Sequence, residues 1–344
     1  MTITRRAVLG TTLAASGLLS GTVRAAVSGI EKPKLTIAVG GKNLFYYLPL
    51  TIAEQRGFFR DEGLAVEIAD LAGGSAALRA VVGGSADVVS GAFEHTINLQ
   101  SKGQDFTAFV LQGRAPQIVL AVSKKNMPEY KSVADLKGRK IGVTAPGSST
   151  NMVANFVLAK AGLKPSDVAF IGVGASAGAV SAMRSGQIDA IANLDPVIAM
   201  LERDGLVRVV SDTRTLKDTE TVFGGPMPAA CLYAPSEFVR RNPNTTQALT
   251  NAMVRALKWL QTAGPSDIVK TVPEAFLLGD RALYLDAWMK VREAISPDGL
   301  IPEVGVRTAL KALQAFDKSL EGKPIALERV YTNDFTRKAL ASVR

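Results

Sequence analysis

Cysteine and histidine are nearly missing from this sequence. Cys231 is the only cysteine and His95 the only histidine among 344 residues. A single cysteine excludes an internal disulfide framework, and a single histidine excludes any metal site built from several histidines. We therefore predict a protein without a resident metal ion.

Motifs that mark nucleotide-binding enzymes are also missing. The sequence has no Gly-x-Gly-x-x-Gly fingerprint after a strand and no phosphate loop ending in Gly-Lys-Ser/Thr. Its Lys and Arg residues are scattered, without a block of five or more, which gives no support to nucleic-acid binding. We predict no cofactor, no catalytic residue and no nucleic-acid partner.

The N-terminus is basic and weakly apolar, and its first 25 residues contain no acid. Arg5 and Arg6 precede an apolar stretch that ends near Leu19, and Val23-Arg24-Ala25 offers a small-residue cleavage site. This layout predicts a twin-arginine export signal over residues 1–25, too short and too polar to span a bilayer. We expect a periplasmic protein that is soluble after signal removal; the alternative is a basic N-terminus that is never removed.

The chain that follows the expected signal is mildly basic. It carries 37 basic and 31 acidic residues, a formal charge of +6, and no further run of about 18 apolar residues. A distributed positive charge of this size suits the attraction of small anions. The length and the 47% hydrophobic content are sufficient for two domain cores.

Apolar runs alternate with segments of helical spacing near the start of the expected mature chain. Residues 35–39 and 64–71 have the pattern of strands, residues 48–57 and 76–82 that of helices, and Asp87-Val88-Val89 begins another strand. Alternating strands and helices predict an α/β domain built on a mainly parallel sheet.

The same strand-helix-strand unit recurs about a hundred residues later, over 168–173, 177–184 and 189–192. Gly84-Ser85-Ala86-Asp87 in the first unit matches Gly186-Gln187-Ile188-Asp189 in the second. We interpret the recurrence as two lobes of similar architecture. The alternative is that any two such units look alike in an α/β protein.

Two apolar segments, Ile118–Ser123 and Ala229–Ala234, could carry the chain out of the first lobe and back, as a hinge of two crossings. From Pro243 onward the pattern is helical, and these helices are expected to cover the first lobe. The predicted domains are the signal, 1–25; lobe 1, 34–122 plus 228–344; and lobe 2, 123–227.

Loops that follow the strands are where a ligand is expected, because the crevice of an open α/β sheet lies beyond the carboxyl ends of its strands. The small polar loop 147–151 precedes an apolar helix, and residues 73–75 offer a matching helix start in the other lobe. Two helix N-termini facing one cleft would hold an oxyanion. The alternative is that Ser148, Ser149 or Thr150 only caps its helix.

Aromatic and ionisable residues near the same strand ends complete the candidate site. Phe45, Tyr46, Tyr47 and Phe93 are predicted walls of the pocket, although each fits a core role equally well. Arg114 could pair with an acid group of the ligand, and Glu94 with His95 could serve as an acid-base pair. The predicted ligand contacts are Asn43, Phe45, Tyr46, Gly74, Ser75, Phe93, Glu94, His95, Arg114, Ser148, Ser149, Thr150, Asn193 and Asp195.

Several motifs between residues 34 and 240 resemble a known family. The most specific is Tyr47-Leu48-Pro49-Leu50-Thr51-Ile52-Ala53-Glu54-Gln55-Arg56-Gly57-Phe58-Phe59, and Gly84-Ser85-Ala86-Asp87, Gly147-Ser148-Ser149 and Asp195-Pro196 continue it. The chain resembles the periplasmic binding proteins of ATP-binding-cassette importers for nitrate, sulfonates and taurine, a group that includes pyrimidine-precursor binders. The resemblance implies a two-lobed type II fold that closes on its ligand, with a membrane permease and an ATPase as partners.

The sequence departs from that pattern at Leu194, where many relatives carry an aromatic residue. The family is also similar to a pyrimidine-forming enzyme that depends on a cysteine-rich motif, which the lone Cys231 does not provide. We predict a monomeric, non-enzymatic solute-binding component that captures a small anionic solute, such as a sulfonate, taurine, nitrate or an aromatic acid. The alternatives are an exported enzyme using Glu94 and His95, a binder of a neutral pyrimidine of the thiamine-precursor type, and a sensory binding module.

Overall fold

The computed structural model describes residues 27, 29–277 and 279–342, and the predicted export signal lies outside these residues. Within them the chain forms two five-stranded sheets, each flanked by helices. The strands are β1 (Lys34–Gly40), β2 (Ala65–Leu71), β3 (Val88–Ala92), β4 (Phe106–Leu111), β5 (Val119–Ser123), β6 (Lys140–Val143), β7 (Ala169–Gly172), β8 (Ala190–Asn193), β9 (Val207–Asp212) and β10 (Ala230–Pro235).

Helices cover both sheets, and none within the described part of the chain combines the length and the apolarity that a membrane crossing requires. The α-helices are α1 (Leu48–Gln55), α2 (Phe58–Asp61), α3 (Gly74–Val82), α4 (Glu94–Gln100), α5 (Ser149–Lys160), α6 (Ala177–Ser185), α7 (Val197–Arg203), α8 (Leu216–Phe223), α9 (Ser236–Arg241), α10 (Pro243–Thr262), α11 (Pro265–Thr271), α12 (Arg281–Val291), α13 (Glu303–Gln314) and α14 (Asp334–Ser342). Short 3-10 turns occupy Phe45–Tyr47, Val133–Leu136, Pro165–Asp167, Glu274–Leu277, Arg292–Ala294, Lys318–Leu320 and Leu327–Arg329.

The two sheets have the same topology. The first lobe has the strand order β2-β1-β3-β10-β4, and the second has β7-β6-β8-β5-β9. In each sheet the first three strands are parallel, and the fourth runs antiparallel to both of its neighbours. The fold is therefore α/β with two mixed, mainly parallel sheets, as the sequence predicted.

The matched sequence motif makes the same contact in each lobe. The Asp87 carboxylate accepts a hydrogen bond from the Thr36 backbone N–H at 2.9 Å, and the Asp189 carboxylate accepts one from the Lys140 N–H, also at 2.9 Å. Thr36 lies in β1 and Lys140 begins β6, the second strand of its sheet. Each aspartate thus connects the start of one strand to the turn before the parallel strand next to it. This shared contact is a structural reason why the motif that ends in Asp87 occurs again at Asp189.

The crossing strand β5 belongs to the second sheet, where it pairs with β8 and β9. The sequence placed residues 119–122 in lobe 1, and this part of the predicted boundary is corrected. An apolar run identifies a buried strand, but it does not say which of two sheets completes the strand's hydrogen bonds. The chain therefore leaves the first lobe before Val119, and the other predicted limits of the lobes stay predictions.

Helices from the C-terminal part of the chain pack on the first lobe and also reach the second. Helix α10 packs against α1, α2 and α14, while α12 contacts α7 and α13 contacts both α4 and α5. Helices α4 and α13 therefore meet α5 of the other lobe at one place, and this junction contains the candidate site.

Candidate functional site

Loops at the ends of strands from both lobes meet directly. The Ser75 N–H donates to Ser148 Oγ at 3.0 Å, and Ser75 Oγ donates to the Pro146 carbonyl at 2.9 Å. Asn43 Nδ2 donates to the Ala175 carbonyl at 3.1 Å, a third hydrogen bond between the lobes. The structure therefore shows the lobes closed on each other, with the starts of α3 and α5 face to face.

A close approach of backbone makes this closure possible. The φ of Gly73 is 178°, an extended conformation that any residue can adopt. A Cβ on Gly73, however, would lie 2.9 Å from the Ala145 Cβ and 3.1 Å from the Ala145 nitrogen. Glycine at this position is thus explained by the contact between the lobes rather than by backbone strain.

Beside this contact, residues of the two lobes line a cavity of about 70 Å³. Helix α4 of the first lobe and α5 of the second form its walls, and the end of α13 with the residues that follow closes it. The lining residues are Glu94, His95, Asn98, Gly147, Ser148, Asn151, Met152, Asn155, Leu313, Phe316 and Asp317.

The cavity brings together five buried polar atoms that have no hydrogen-bond partner within the described part of the chain. They are Glu94 Oε1, His95 Nε2, Asn98 Oδ1, Asn151 Nδ2 and Asn155 Oδ1. Leaving one such group unsatisfied costs about 1–3 kcal/mol, and native proteins pair the large majority of them. Five around one cavity therefore indicate a place built to receive a polar molecule.

His95 is held in one orientation by the first lobe. Its Nδ1 is 2.9 Å from the Tyr233 hydroxyl, which can donate to or accept from the ring. Burial lowers the pKa of His95 to about 4, and the Gly147 backbone opposes part of this shift. The ring is therefore neutral at pH 7 and presents Nε2 to the cavity as a donor or an acceptor.

Glu94 is the most strongly perturbed acid of the cavity. It is 3% exposed, and burial raises its pKa to about 7 from an ordinary value of 4.5, although its own backbone N–H partly offsets the effect. Among the described residues that line the cavity, none is a Lys or an Arg. The carboxyl group therefore meets the cavity without a counter-charge.

Replacing Glu94 with glutamine is expected to change how stability depends on pH. The raised pKa means that the fold favours the neutral form of Glu94. The stability that the neutral form contributes is complete below pH 4.5 and is lost as the pH rises through 7. The variant should therefore gain about 3 kcal/mol relative to the original protein between pH 4 and pH 8. Urea unfolding of solute-free protein at several pH values measures this, and exposed Glu220→Gln is the control. Parallel pH curves for Glu94→Gln and the original protein would contradict the assignment.

Five of the predicted ligand contacts lie at or next to the cavity. Glu94, His95 and Ser148 line it, and Ser75 bonds to Ser148. A Cβ on Gly74 would lie 3.5 Å from His95 Cε1 and 3.8 Å from Ser148 Oγ, so Gly74 stands at the same junction. The structure thus brings these residues together from both lobes.

Three predicted contacts instead join the lobes or pack beside the junction. The Asn43 side chain bonds to Ala175, as described above. The Phe45 N–H donates to the Asp195 carbonyl at 3.3 Å, and the Phe45 ring packs at 4.5 Å on Tyr284. Tyr46 is buried with its ring 4.9 Å from that of its neighbour in sequence.

The remaining predicted contacts are engaged elsewhere. Phe93 is fully buried, with its ring 6.4 Å from that of Tyr331, and the Arg114 Nε donates to the Glu293 carbonyl on a different face. Thr150 Oγ1 bonds to Thr144. Ser149, Asn193 and Asp195 do not line the cavity either.

The side chains of Asn193 and Asp195 serve the second lobe. Asn193 Nδ2 donates to the Gly174 carbonyl, and Asn193 Oδ1 accepts from the next backbone N–H. The Asp195 carboxylate accepts from the Ala199 N–H and lies 3.5 Å from the Arg214 guanidinium. Burial raises the pKa of Asp195 to about 6, against the opposing effect of Arg214.

Sequence reasoning missed three asparagines of the cavity. Asn98 lies four residues after Glu94 on α4, and Asn151 and Asn155 are four residues apart on α5. Residues at this spacing share one helix face. Polar residues four positions apart on helices that follow buried strands are the signal that could have identified them.

Comparison with known proteins gives both a family and a fold. The model of the NMT1-like family matches residues 28–272. A solved structure from Bordetella bronchiseptica is similar at 66% identity and a TM-score of 0.90, over 91% of this chain and 98% of that chain. The alkanesulfonate-binding protein SsuA of Xanthomonas axonopodis has 20% identity and a TM-score of 0.64, over 88% and 98% of the two chains. The similarity to SsuA shows a shared fold only, and this is the fold of periplasmic binding proteins.

Curated relatives include both a binding protein and an enzyme. YtlA of Bacillus subtilis, named as a candidate binding protein, is 24% identical over 75% of this chain and 76% of its own. A 4-amino-5-hydroxymethyl-2-methylpyrimidine phosphate synthase of Schizosaccharomyces pombe is 27% identical over 64% of this chain and 63% of its own.

Proposed function

Because the chain belongs to the NMT1-like family, we propose that it is the extracytoplasmic solute-binding component of an ATP-binding-cassette importer. It captures a small polar solute in the cavity between its lobes and performs no chemistry on it. The observation that carries this proposal is the cluster of five unpartnered polar atoms, contributed by α4 and α5 of opposite lobes.

Capture couples to a change of shape because the solute would contact both lobes. Glu94, His95 and Asn98 belong to one lobe, and Asn151 and Asn155 to the other. A solute that bonds to both sets favours the closed form over an open one, which a permease can recognise. The ion pairs Arg203–Asp280 at 2.6 Å and Lys290–Glu202 at 3.8 Å, between α7 and the α12 region, would add to closure.

The sequence predicted an anionic solute, and the facing N-termini of α3 and α5 support this prediction because helix N-termini bind anions. In the closed form, however, the Ser75 N–H donates to Ser148 Oγ, and the Gly147 N–H donates to Asn151 Oδ1. An anion would have to displace these hydrogen bonds, whereas the cavity beside them offers polar atoms without partners. The geometry therefore favours the cavity as the place of capture.

Denaturing the purified protein is expected to release a small solute that mass spectrometry detects. Protein freed of solute should compact when that solute is restored, which small-angle X-ray scattering measures as a smaller radius of gyration. Cell fractionation should find the chain in the periplasm, and size-exclusion chromatography should find a monomer. A protein that releases nothing and does not compact with any fraction of the growth medium would contradict the proposal.

Chemistry at the same residues is the second candidate, because the Schizosaccharomyces relative is named as a synthase. Glu94 and His95 are neighbours in the cavity, as an acid-base pair would require. Incubating the released solute with the protein and analysing it again separates the two roles. An unchanged mass supports binding, and a turnover product supports an enzyme.

A further inference from the structure

We infer that the cavity selects a small uncharged or cationic nitrogen compound, of the amide or amidine type, and discriminates against oxyanions of the same size. This inference rests on the proposed function, because it concerns the solute captured at the same site. It departs from the anionic solute predicted from the sequence, and the reason lies in the groups that face the cavity.

Glu94 fixes the polarity of the site. Its Oε1 is buried and unpartnered, and the side chain lies at the start of α4 facing the cavity. Above pH 7, where Glu94 is mostly ionised, its carboxylate only accepts hydrogen bonds and cannot be turned into a donor by rotating the side chain. A solute N–H group is therefore its natural partner, and an ammonium or amidinium group also neutralises the buried charge.

The three asparagines of the cavity can make hydrogen bonds with a solute that is bound to Glu94. Asn98, Asn151 and Asn155 each carry an amide oxygen and an amide nitrogen, and each has one of these atoms unpartnered at the cavity. Asn98 and Asn155 can offer either a donor or an acceptor by rotating the amide, whereas Asn151 offers its Nδ2 donor because its Oδ1 accepts from the Gly147 N–H. These side chains can thus satisfy the remaining atoms of an amide or amidine from both lobes, without setting its charge.

The charges around the cavity disfavour an anion. The ionisable side chains that line it are Glu94, His95 and Asp317, and His95 is held neutral by its surroundings. An oxyanion bound there would face two acids, and none of the described lining residues is a Lys or an Arg. Backbone N–H groups at the start of α5 do not compensate, because Gly147 N–H already donates to Asn151 Oδ1.

The volume of about 70 Å³ suits a fragment of a few heavy atoms, so small isosteric probes can test the charge preference alone. Acetamidine, acetamide and acetate have the same shape and differ in charge and in hydrogen-bond donors. Nitrate adds a planar oxyanion of similar size. Binding of each to solute-free protein is measured at pH 8, where Glu94 is mostly ionised, by ligand-observed NMR up to about 10 mM, which covers the affinities accessible to four heavy atoms.

We expect acetamidine or acetamide to bind at least about 10-fold more tightly than acetate or nitrate. Glu94→Gln should weaken acetamidine at least about 10-fold and acetamide less than about 3-fold, because glutamine keeps an acceptor and loses the charge. Asn155→Asp should strengthen acetamidine relative to acetamide, which keeps the test valid if Glu94→Gln folds poorly. Exposed Glu220→Gln should change none of these affinities.

Tighter binding of acetate or nitrate, or equal effects of Glu94→Gln and Glu220→Gln, would overturn the inference. The same holds if neither nitrogen probe binds. None of these outcomes touches the proposed function, which the release of a solute and the compaction of the protein decide separately. An anion found as the released solute would leave a solute-binding protein standing and remove the nitrogen-compound selectivity.

Discussion

Replacing Arg214 with methionine is expected to lower the free energy of unfolding by about 3–5 kcal/mol at pH 8. Arg214 is 6% exposed, and its guanidinium donates to Glu202 at 2.8 Å and to Asp212 at 2.6 Å. It also lies 3.5 Å from the Asp195 carboxylate, whose side chain is completely buried. Methionine fills a similar volume but leaves Asp195 without its cation.

The loss should depend on pH in a definite direction. The pKa of Asp195 is already raised to about 6 by burial, and Arg214 restrains it. Without Arg214 the pKa of Asp195 rises further. The free energy of unfolding that is lost by burying this carboxyl therefore keeps increasing with pH up to a higher pH than in the original protein. The destabilisation by Arg214→Met should therefore be larger at pH 8 than at pH 5, where Asp195 is mostly protonated in the original fold.

Urea unfolding at the two pH values measures both effects. The matched control is Arg184→Met, because Arg184 also pairs with an aspartate, Asp204, at 2.8 Å but is 60% exposed. An exposed pair of this kind contributes at most about 1 kcal/mol. If Arg214→Met cost no more than the control, the buried network would not have the structural role assigned to it.

Replacing Gly73 with valine is expected to weaken solute capture at least about 100-fold while the first lobe stays folded. The added Cβ would stand 2.9 Å from the Ala145 Cβ and 3.1 Å from backbone atoms of Thr144 and Ala145, all in the other lobe. Valine adds two further methyl groups to the same space. The lobes then cannot reach the closed form, and an affinity that depends on that form falls with its population.

Calorimetry with the released solute measures the affinity of Gly73→Val, and small-angle scattering measures whether the protein compacts. Gly73→Ala should show a smaller loss, and Ala145→Gly should recover much of it because it removes the nearest contact. Circular dichroism and urea unfolding should show little change for any of these variants. Normal compaction of Gly73→Val with solute would exclude this junction as the closing contact.

The general architecture could be predicted because it depends on patterns that are local in the sequence. Alternating apolar runs and helical spacings gave the α/β class, and the motif ending in Asp87 and Asp189 indicated two similar lobes; the fold comparison confirms both. The motifs that resembled nitrate-, sulfonate- and taurine-binding proteins likewise identified the family that the family model matches. The boundary at β5 could not be predicted, because the choice of sheet for a buried strand depends on partners distant in the chain.

The candidate site could be predicted only in part, for a related reason. Position after a strand identified Glu94 and His95 as well as the facing serines, Ser75 and Ser148. The same rule also selected Phe93 and Asn193, whose side chains turn into their own lobe. Which way a side chain points at a strand end depends on packing that the loop sequence does not specify.

The sequence by itself determined the class of fold, the family and the two helix starts that face each other, because these follow from periodicity and short motifs. Only the tertiary structure decided which polar groups share the cavity and which charges are missing from it. Asn98 and Asn155 are 57 positions apart in the sequence and meet only because two lobes close. The preference for a nitrogen compound over an anion depends on that meeting, since burial without a counter-charge is a property of the assembled junction.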